Sequence, residues 1–344
     1  MQSSLERNRY WDAVRGLAIV AVVTTHAANF GLSLDGWNYD FVLVLREMVN
    51  FAVPTFFLLA GYFANSRSLN DPVGFWRLRA FRILPTYLFW TAVYLLIFAP
   101  GDLIHPALAQ HVLTGTGVFI GYYVVVLVQM TALTPMLNRI KSLRLHGVIM
   151  LVLIGAGLSF TYAAQATTTF GKFGTFPYSA LPFFVWYPFY HFGFVVAKYD
   201  LPHRLQRIKI NHLIAVALLA LLSAVLEAFG LWYDKPSLAS SQLKATSLLC
   251  SFVVAMLVLR LSSTSFSPPQ ALVTLGRSSF FIYLTHLLVL IAVEPLMRRV
   301  PLLTEVQALY IPVLVIVVLA AMWGAIRGIT LANNRPVNRL LGIE

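Results

Sequence analysis

The sequence has few charged residues and a single cysteine. Asp, Glu, Lys and Arg make up 11% of its 344 residues, whereas soluble domains carry about a quarter. No polar stretch is long enough to form a second, soluble domain. Cys250 lies in an apolar run, so a disulfide framework is excluded, and no His, Glu or Cys spacing resembles a metal site. We therefore predict neither a soluble protein nor a metal centre.

Apolar sequence is abundant instead. Hydrophobic residues make up 59% of the chain, and apolar runs of about 20 residues recur from end to end. The runs are continuous rather than alternating, which excludes a transmembrane β-barrel. We predict an all-α, polytopic membrane protein with one integral-membrane domain over residues 1–344 and about ten transmembrane helices. The predicted spans are residues 10–31, 41–63, 83–99, 115–135, 147–164, 179–198, 211–232, 243–262, 278–297 and 309–328.

The net charge of +12 comes from short basic clusters between the apolar runs. That arrangement is typical of topology signals and does not indicate nucleic-acid binding. If the N-terminus is cytoplasmic, Lys and Arg are about three times as frequent in the inside segments as in the outside ones. We therefore predict cytoplasmic N- and C-termini, which requires an even number of spans.

The first predicted span carries three ionisable groups, Asp12, Arg15 and His26. Arg15 and His26 fall within about 20° of one helical face and about 16 Å apart along the axis, with Asp12 about 40° away. These groups also argue against a cleavable signal peptide. Ionisable side chains at membrane depth are costly and usually functional, and an imidazole can take a proton at neutral pH. The alternatives are a histidine that only bonds a neighbouring helix and an Asp12–Arg15 pair.

An arginine cluster, RLRAFR at residues 77–82, precedes the third predicted span. Arg79 and Arg82 are three residues apart and share a helical face, and guanidinium groups suit phosphate oxygens. The cluster therefore indicates a phosphate-binding site. The alternative interpretation is a topology determinant with aromatic anchors.

Two further segments combine polar groups with apolar helices. The ninth span opens with LGRSSFFIYLTHLLVL, in which Ser279, Tyr283 and His286 lie near one face and form a polar seam or line a cavity. His286 is a weaker candidate base than His26, because nothing charged shares its stripe. The second span ends in FAVPTFFLLAGYFAN, where Gly61 allows the backbone and Tyr62 to approach a neighbouring helix.

Taken in order, these segments resemble membrane-bound acyltransferase family 3. RYWDAVRGLAIVAVVTTHAANF is similar to the family's opening helix, in which an Arg and a His are separated by ten residues. FAVPTFFLLAGYFAN is similar to its second-helix ending, with Ala60 in place of the usual Ser. RLRAFRILPTY and LGRSSFFIYLTHLLV resemble its arginine motif and its late Ser–Tyr–His helix. The acidic motif of one large branch is missing from IGYYVVVLVQMTAL.

The resemblance implies an acyl-CoA-dependent O-acyltransferase of surface glycans. It implies cytoplasmic acyl-CoA, commonly acetyl-CoA, as a co-substrate rather than a permanently bound cofactor. The acceptor would be a hydroxyl of an extracytoplasmic or lipid-linked glycan. The site residues expected from the resemblance and the spacing are His26 and Asp12 for catalysis, Arg15, Arg77, Arg79 and Arg82 for donor binding, and Tyr62, Ser279, Tyr283 and His286 for substrate or oxyanion contacts.

The resemblance also implies a multi-pass protein of a bacterial inner membrane, with the lipid bilayer, an acyl-CoA and a glycan as its partners. Coenzyme A phosphates bound at the cytoplasmic surface would let the pantetheine arm reach a histidine about 20 Å deep. His26 would deprotonate the acceptor hydroxyl, or form an acyl-histidine intermediate. The alternatives are a non-catalytic glycan transporter or flippase, although no internal repeat is visible, and an acyltransferase with a non-sugar acceptor.

Overall fold

The computed structural model describes residues 2–29, 36–64, 71–167, 169–232, 234–262, 264 and 267–343, without the side chains of residues 2–8, 203, 302 and 303. These residues contain helices and no strand. The helices are α1 Gln2–Asn29, α2 Gly36–Val49, α3 Ala52–Tyr62, α4 Pro72–Phe98, α5 Ala107–Thr114, α6 Tyr122–Arg139, α7 Leu143–Ala166, α8 Phe183–Lys198, α9 Pro202–Leu205, α10 Ile210–Leu231, α11 Pro236–Ala239, α12 Ala245–Leu261, α13 Gln270–Arg277, α14 Ser279–Met297, α15 Pro301–Thr304, α16 Gln307–Leu331 and α17 Arg335–Leu341.

Several helices are long and apolar enough to cross a membrane. Within the described ranges there are seven such segments, with mean hydropathies between 1.3 and 2.5, and α2 and α3 together form one of them. An all-helical, polytopic membrane protein is thereby confirmed. Each of the ten predicted spans overlaps a helix. The predicted number of ten crossings is not confirmed and stays a prediction.

The helices form two compact units. The first comprises Met1–Thr55 and Ile208–Glu344, and the second comprises Phe56–Arg207. The first unit therefore joins the two ends of the chain, with α1, α2 and α10 to α17, while α4 to α9 belong to the second. The predicted single domain stays a prediction.

In the first unit, α1 packs most extensively against α13 and also contacts α14, α16 and α2. Two glycines bring the backbones of α1 and α13 into contact. A methyl group on Gly16 would overlap the carbonyl of Leu272, and one on Gly276 would overlap the carbonyl of Asp12. Small residues allow such close helix crossings. The crossing fixes the end of α13 beside Asp12.

In the second unit, the part of α3 from Phe56 onwards crosses α8 in the same way. A methyl group on Gly61 would overlap the carbonyl of Tyr190, and one on Gly193 would overlap that of Leu58. The close backbone approach expected at Gly61 is therefore present. Helix α4 starts before the predicted third span, because Asp71 caps it: its Oδ1 accepts the N–H of Gly74 at 2.8 Å, and Pro72 follows at the first helical position. The RLRAFR cluster thus lies within α4.

Candidate functional site

The side chain of His26 lies three residues before the end of α1 and is partly exposed. Helix α14 packs against α1 there, and the rings of His26 and His286 are 5.2 Å apart between centroids, inclined by 50°. From the sequence we expected His286 to be a weaker candidate base than His26, because nothing charged shares its stripe. Periodicity within one helix cannot show which helix lies opposite. The structure places the two imidazoles side by side.

His286 is completely buried. Its Nδ1 lies 2.9 Å from the carbonyl oxygen of Ile282 and 2.9 Å from that of Tyr283. Carbonyl oxygens only accept hydrogen bonds, so Nδ1 carries the hydrogen. In the neutral ring, Nε2 then keeps its lone pair. Within the described part of the chain, this buried Nε2 has no hydrogen-bond partner.

Two other predicted residues of this region belong to α14. Ser279 and Tyr283 are both buried. The ring of Tyr283 lies 6.3 Å from that of His286 between centroids. The seam of Ser279, Tyr283 and His286 expected from their spacing is thus on one buried face of α14, and its His286 end meets α1.

Arg46 on α2 holds the last turn of α1. Its Nη1 donates to the carbonyl of Thr25 and to Oδ1 of Asn29, both at 3.0 Å, and its Nη2 donates to the carbonyl of Ser240 at 3.1 Å. A cation that bonds the final carbonyls of a helix also suits its dipole. The sequence carries no local signal for this role, because the partners of Arg46 are distant in the chain. It anchors the residue next to His26.

A buried ion pair follows Arg46 in the same unit. Oε2 of Glu47 lies 2.5 Å from Nζ of Lys244, and both side chains are wholly buried. Oγ of Ser247 donates to Oε2 at 2.6 Å, and Nδ2 of Asn50 donates to Oε1 at 3.1 Å. No motif in the sequence indicated this pair, since Glu47 lies on α2 and Lys244 directly precedes α12, far along the chain. The hydrogen bonds compensate the burial of both charges.

Asp12 lies ten residues after the start of α1 and is remote from His26 along the helix. Its Oδ1 is 3.2 Å from Nη1 of Arg15, and its Oδ2 is 3.2 Å from Nε of Arg277. The pairing with Arg15 that the sequence left open is therefore present. Fourteen residues separate Asp12 from His26, about 21 Å along the axis, so Asp12 does not contact His26. The predicted catalytic role of Asp12 and the donor-binding role of Arg15 stay predictions.

The remaining predicted residues belong to the second unit. Tyr62 is buried. Arg79 donates through Nη2 to the carbonyl of Phe63 at 3.2 Å, and its guanidinium lies 5.6 Å from the ring centroid of Phe75. Arg77 and Arg82 are exposed. A groove of about 760 Å³ runs along this end of α4, and its described lining residues are Asp71, Val73, Gly74, Phe75, Arg77, Leu78 and Phe81.

A chain of hydrogen bonds in the second unit has the residue types of a hydroxyl-activating triad. Asp102 Oδ2 lies 2.9 Å from Nε2 of His111, and Nδ1 of His111 lies 2.9 Å from Oγ1 of Thr116. Oγ1 of Thr116 also lies 3.0 Å from that of Thr114, whose own hydroxyl donates to the carbonyl of Gln110 at 2.7 Å. The one hydroxyl hydrogen of Thr116 can serve either His111 or Thr114. All of these contacts lie within residues 102–116, and such a local cluster favours a structural role.

The described fold is that of a helical membrane protein in which α1 and α14 bring two histidines together. A family model described as an acyltransferase domain, acyltransferase 3, matches residues 8–327. The chain belongs to this acyltransferase family and is an acyl-transferring enzyme. No curated protein and no solved structure matches the chain significantly.

Proposed function

We propose that this enzyme transfers an acetyl group from cytoplasmic acetyl-CoA to a hydroxyl of an extracytoplasmic or lipid-linked glycan, with His26 as the general base. The observation that carries the proposal is the place of His26. Its imidazole is partly exposed, lies near the end of the first helix of a family acyltransferase, and is next to a second imidazole. Burying an ionisable side chain in a predicted membrane span costs free energy, and the side chains found there usually have a function.

The reaction needs one base and later one acid. A ring nitrogen of His26 takes the proton from the acceptor hydroxyl as its oxygen attacks the thioester carbon. The new C–O bond forms and the C–S bond breaks, and the leaving coenzyme A thiolate takes the proton back from the imidazolium. Protons and charges balance, and no metal or redox partner is required. A positioned base of this kind contributes about 10²- to 10⁴-fold to the rate.

The donor requires cationic groups for its phosphates. In the second unit, Arg77 and Arg82 are exposed on α4, and Arg79 is tied to the carbonyl of Phe63. The groove beside Arg77 offers apolar side chains for the uncharged parts of the donor. In the first unit, Arg15 is the predicted donor contact, and Asp12 holds its guanidinium. Guanidinium groups bind phosphate through two parallel hydrogen bonds.

The tetrahedral intermediate requires a hydrogen-bond donor for its oxyanion. Of the predicted donors, Tyr283 and Ser279 share a helix with His286, and the ring of Tyr283 is the nearer to His286. We assign the oxyanion contact to Tyr283 first. Tyr62 stays a predicted substrate contact of the second unit.

The proposed location is the inner membrane of a bacterium, with both termini in the cytoplasm. The bias of Lys and Arg between alternate connecting segments supports this orientation. With this orientation, the arginine cluster that precedes the third predicted span would lie on the side from which acyl-CoA comes.

Replacing His26 with Ala tests the proposal. Membranes that contain equal amounts of folded protein are incubated with labelled acetyl-CoA, and transfer to the membrane glycan fraction is measured. We expect a loss of about 100-fold or more. His212→Ala is the matched control, because His212 is an exposed histidine of the same unit, and we expect it to retain normal transfer. Normal transfer by His26→Ala would contradict the proposed base.

A further inference from the structure

His286 offers a hydrogen-bond acceptor that nothing in the described fold uses. Its Nδ1–H is occupied by the carbonyls of Ile282 and Tyr283, so the lone pair on Nε2 is fixed by the helix itself. This atom is buried and has no partner among the described residues. Unpaired buried polar atoms are costly and call for an explanation.

The nearest imidazole supplies the complementary group. The rings of His26 and His286 are 5.2 Å apart between centroids. His146 and His191, with centroids 5.0 Å apart, form an N···N contact of 2.7 Å, so the separation suits such a contact once the His26 ring is turned towards Nε2. A neutral His26 carries one N–H and one lone pair. If the N–H is directed to Nε2 of His286, the other nitrogen of His26 is left to face the acceptor hydroxyl.

We propose that His286 is the positioning residue of His26. Through Nε2 it accepts the N–H of His26, which selects the ring nitrogen that acts as the base. It also stabilises the imidazolium that forms when His26 takes the acceptor's proton. This inference rests on the proposed function and deepens it.

A neutral acceptor suits this location better than a carboxylate. In a histidine–carboxylate pair, the buried negative charge must be compensated throughout the reaction cycle. An imidazole needs no such compensation in the resting enzyme, and its own Nδ1–H is already satisfied by the backbone. His286 would therefore orient the base His26, as a carboxylate does in other enzymes, without a permanent buried charge.

The competing explanation is that His286 only fills space and bonds its own helix. The side chains of Asn and Gln separate the two explanations, because their amides occupy different positions. The amide of Asn lies near the position of Nδ1 and can keep the bond to the backbone carbonyls. The longer Gln carries its amide near the position of Nε2, where its Oε1 can accept the N–H of His26.

Transfer kinetics of His286→Gln and His286→Asn test the proposal, with rates expressed per folded protein. We expect His286→Asn to lower kcat about 10- to 100-fold, the range typical of partners that orient a histidine, with KM for acetyl-CoA unchanged. His286→Gln is expected to keep kcat within about tenfold of the wild type and above that of His286→Asn. If Asn performs as well as Gln or better, the positioning role is overturned. If His286→Asn does not fold, His286→Met replaces it, since Met matches Gln in length but is a poor acceptor.

The double variant separates this inference from the proposed function. In a His26→Ala background, His286→Asn should cause no further loss, because residues that act as a unit are not additive. A further loss of the same size as in the wild type would overturn the positioning role. Loss of transfer by His26→Ala together with normal kcat for His286→Asn would overturn the positioning role alone. Normal transfer by His26→Ala would overturn both proposals.

Discussion

The carboxylate of Asp12 binds the guanidinium of Arg277, with Oδ2 at 3.2 Å from Nε, although 265 positions separate them. The same carboxylate holds Arg15 through Oδ1. Arg15 and Arg277 remain 33% and 54% exposed, so each pair contributes about 1 kcal/mol or less to stability. The carboxylate therefore serves mainly to orient two arginines, one on α1 and one at the end of α13.

Asp12→Asn should affect donor binding more than chemistry. Asp12 is about 21 Å from His26 along the helix, so we expect kcat to stay within about tenfold of the wild type. The KM for acetyl-CoA should change, because Arg15 loses its partner. Steady-state kinetics with varied donor measure both quantities. A loss of kcat as large as that of His26→Ala would support the catalytic role predicted for Asp12 from the sequence.

Gly276→Ala should destabilise the first unit. The added methyl group would overlap the carbonyl of Asp12, so α1 and α13 must move apart, at a cost of about 1–3 kcal/mol. Gly324→Ala on α16 is the matched control, because a methyl group there meets no described atom within 4 Å. Thermal unfolding in detergent compares the two variants. Equal midpoints would show that the close crossing is not needed for stability.

Glu47→Ala should be strongly destabilising, because it leaves the wholly buried Lys244 without its carboxylate. Breaking a buried pair in this way costs about 3–5 kcal/mol. The double variant Glu47→Leu/Lys244→Met removes both charges and should recover most of the lost stability. The amount of folded protein and its unfolding midpoint are the measurements. A double variant less stable than Glu47→Ala would contradict this explanation.

Arg82→Ala should weaken donor binding. Loss of a hydrogen bond to a charged phosphate costs about 1.5–3 kcal/mol, which corresponds to an increase in KM for acetyl-CoA of about tenfold or more. Arg144→Ala, which removes an exposed arginine at the start of α7, should leave KM unchanged. A fall in protein amount with normal KM would favour the topology interpretation of the cluster.

Thr116→Val should leave the transfer rate unchanged and reduce stability by about 1 kcal/mol. Val retains the shape of Thr but removes the hydroxyl that bonds Thr114 and His111. Transfer assays and thermal unfolding of the same preparation measure the two effects. A rate loss of 100-fold or more would instead identify Thr116 as a nucleophile.

Periodicity and hydropathy predicted the class of fold because they depend on local sequence. Every predicted span overlaps a helix, and the i,i+3 spacing of Asp12 and Arg15 was sufficient to suggest their pairing. The start of α4 was missed because Asp71 and Pro72 are capping signals rather than apolar ones.

Contacts between distant helices could not be predicted in the same way. The spacing on α14 placed Ser279, Tyr283 and His286 on one face but could not show that His26 lies opposite. Arg46 and the Glu47–Lys244 pair carried no local signal, because their partners are distant in the chain. A single sequence shows which residues share a face of a helix. It does not show which other helix packs against that face, because that depends on tertiary packing.

The pairing of α1 with α13 has a consequence for the synthesis of the protein. About 240 residues lie between the end of α1 and the start of α13, so a ribosome needs on the order of 10–50 s to supply the second helix after the first. During that interval Asp12 has Arg15 as a partner but not Arg277, and the glycine face of α1 has no α13 to cover it. Until α13 has been synthesised, the face of the nascent α1 that carries Gly16 must therefore be covered by lipid or by other proteins.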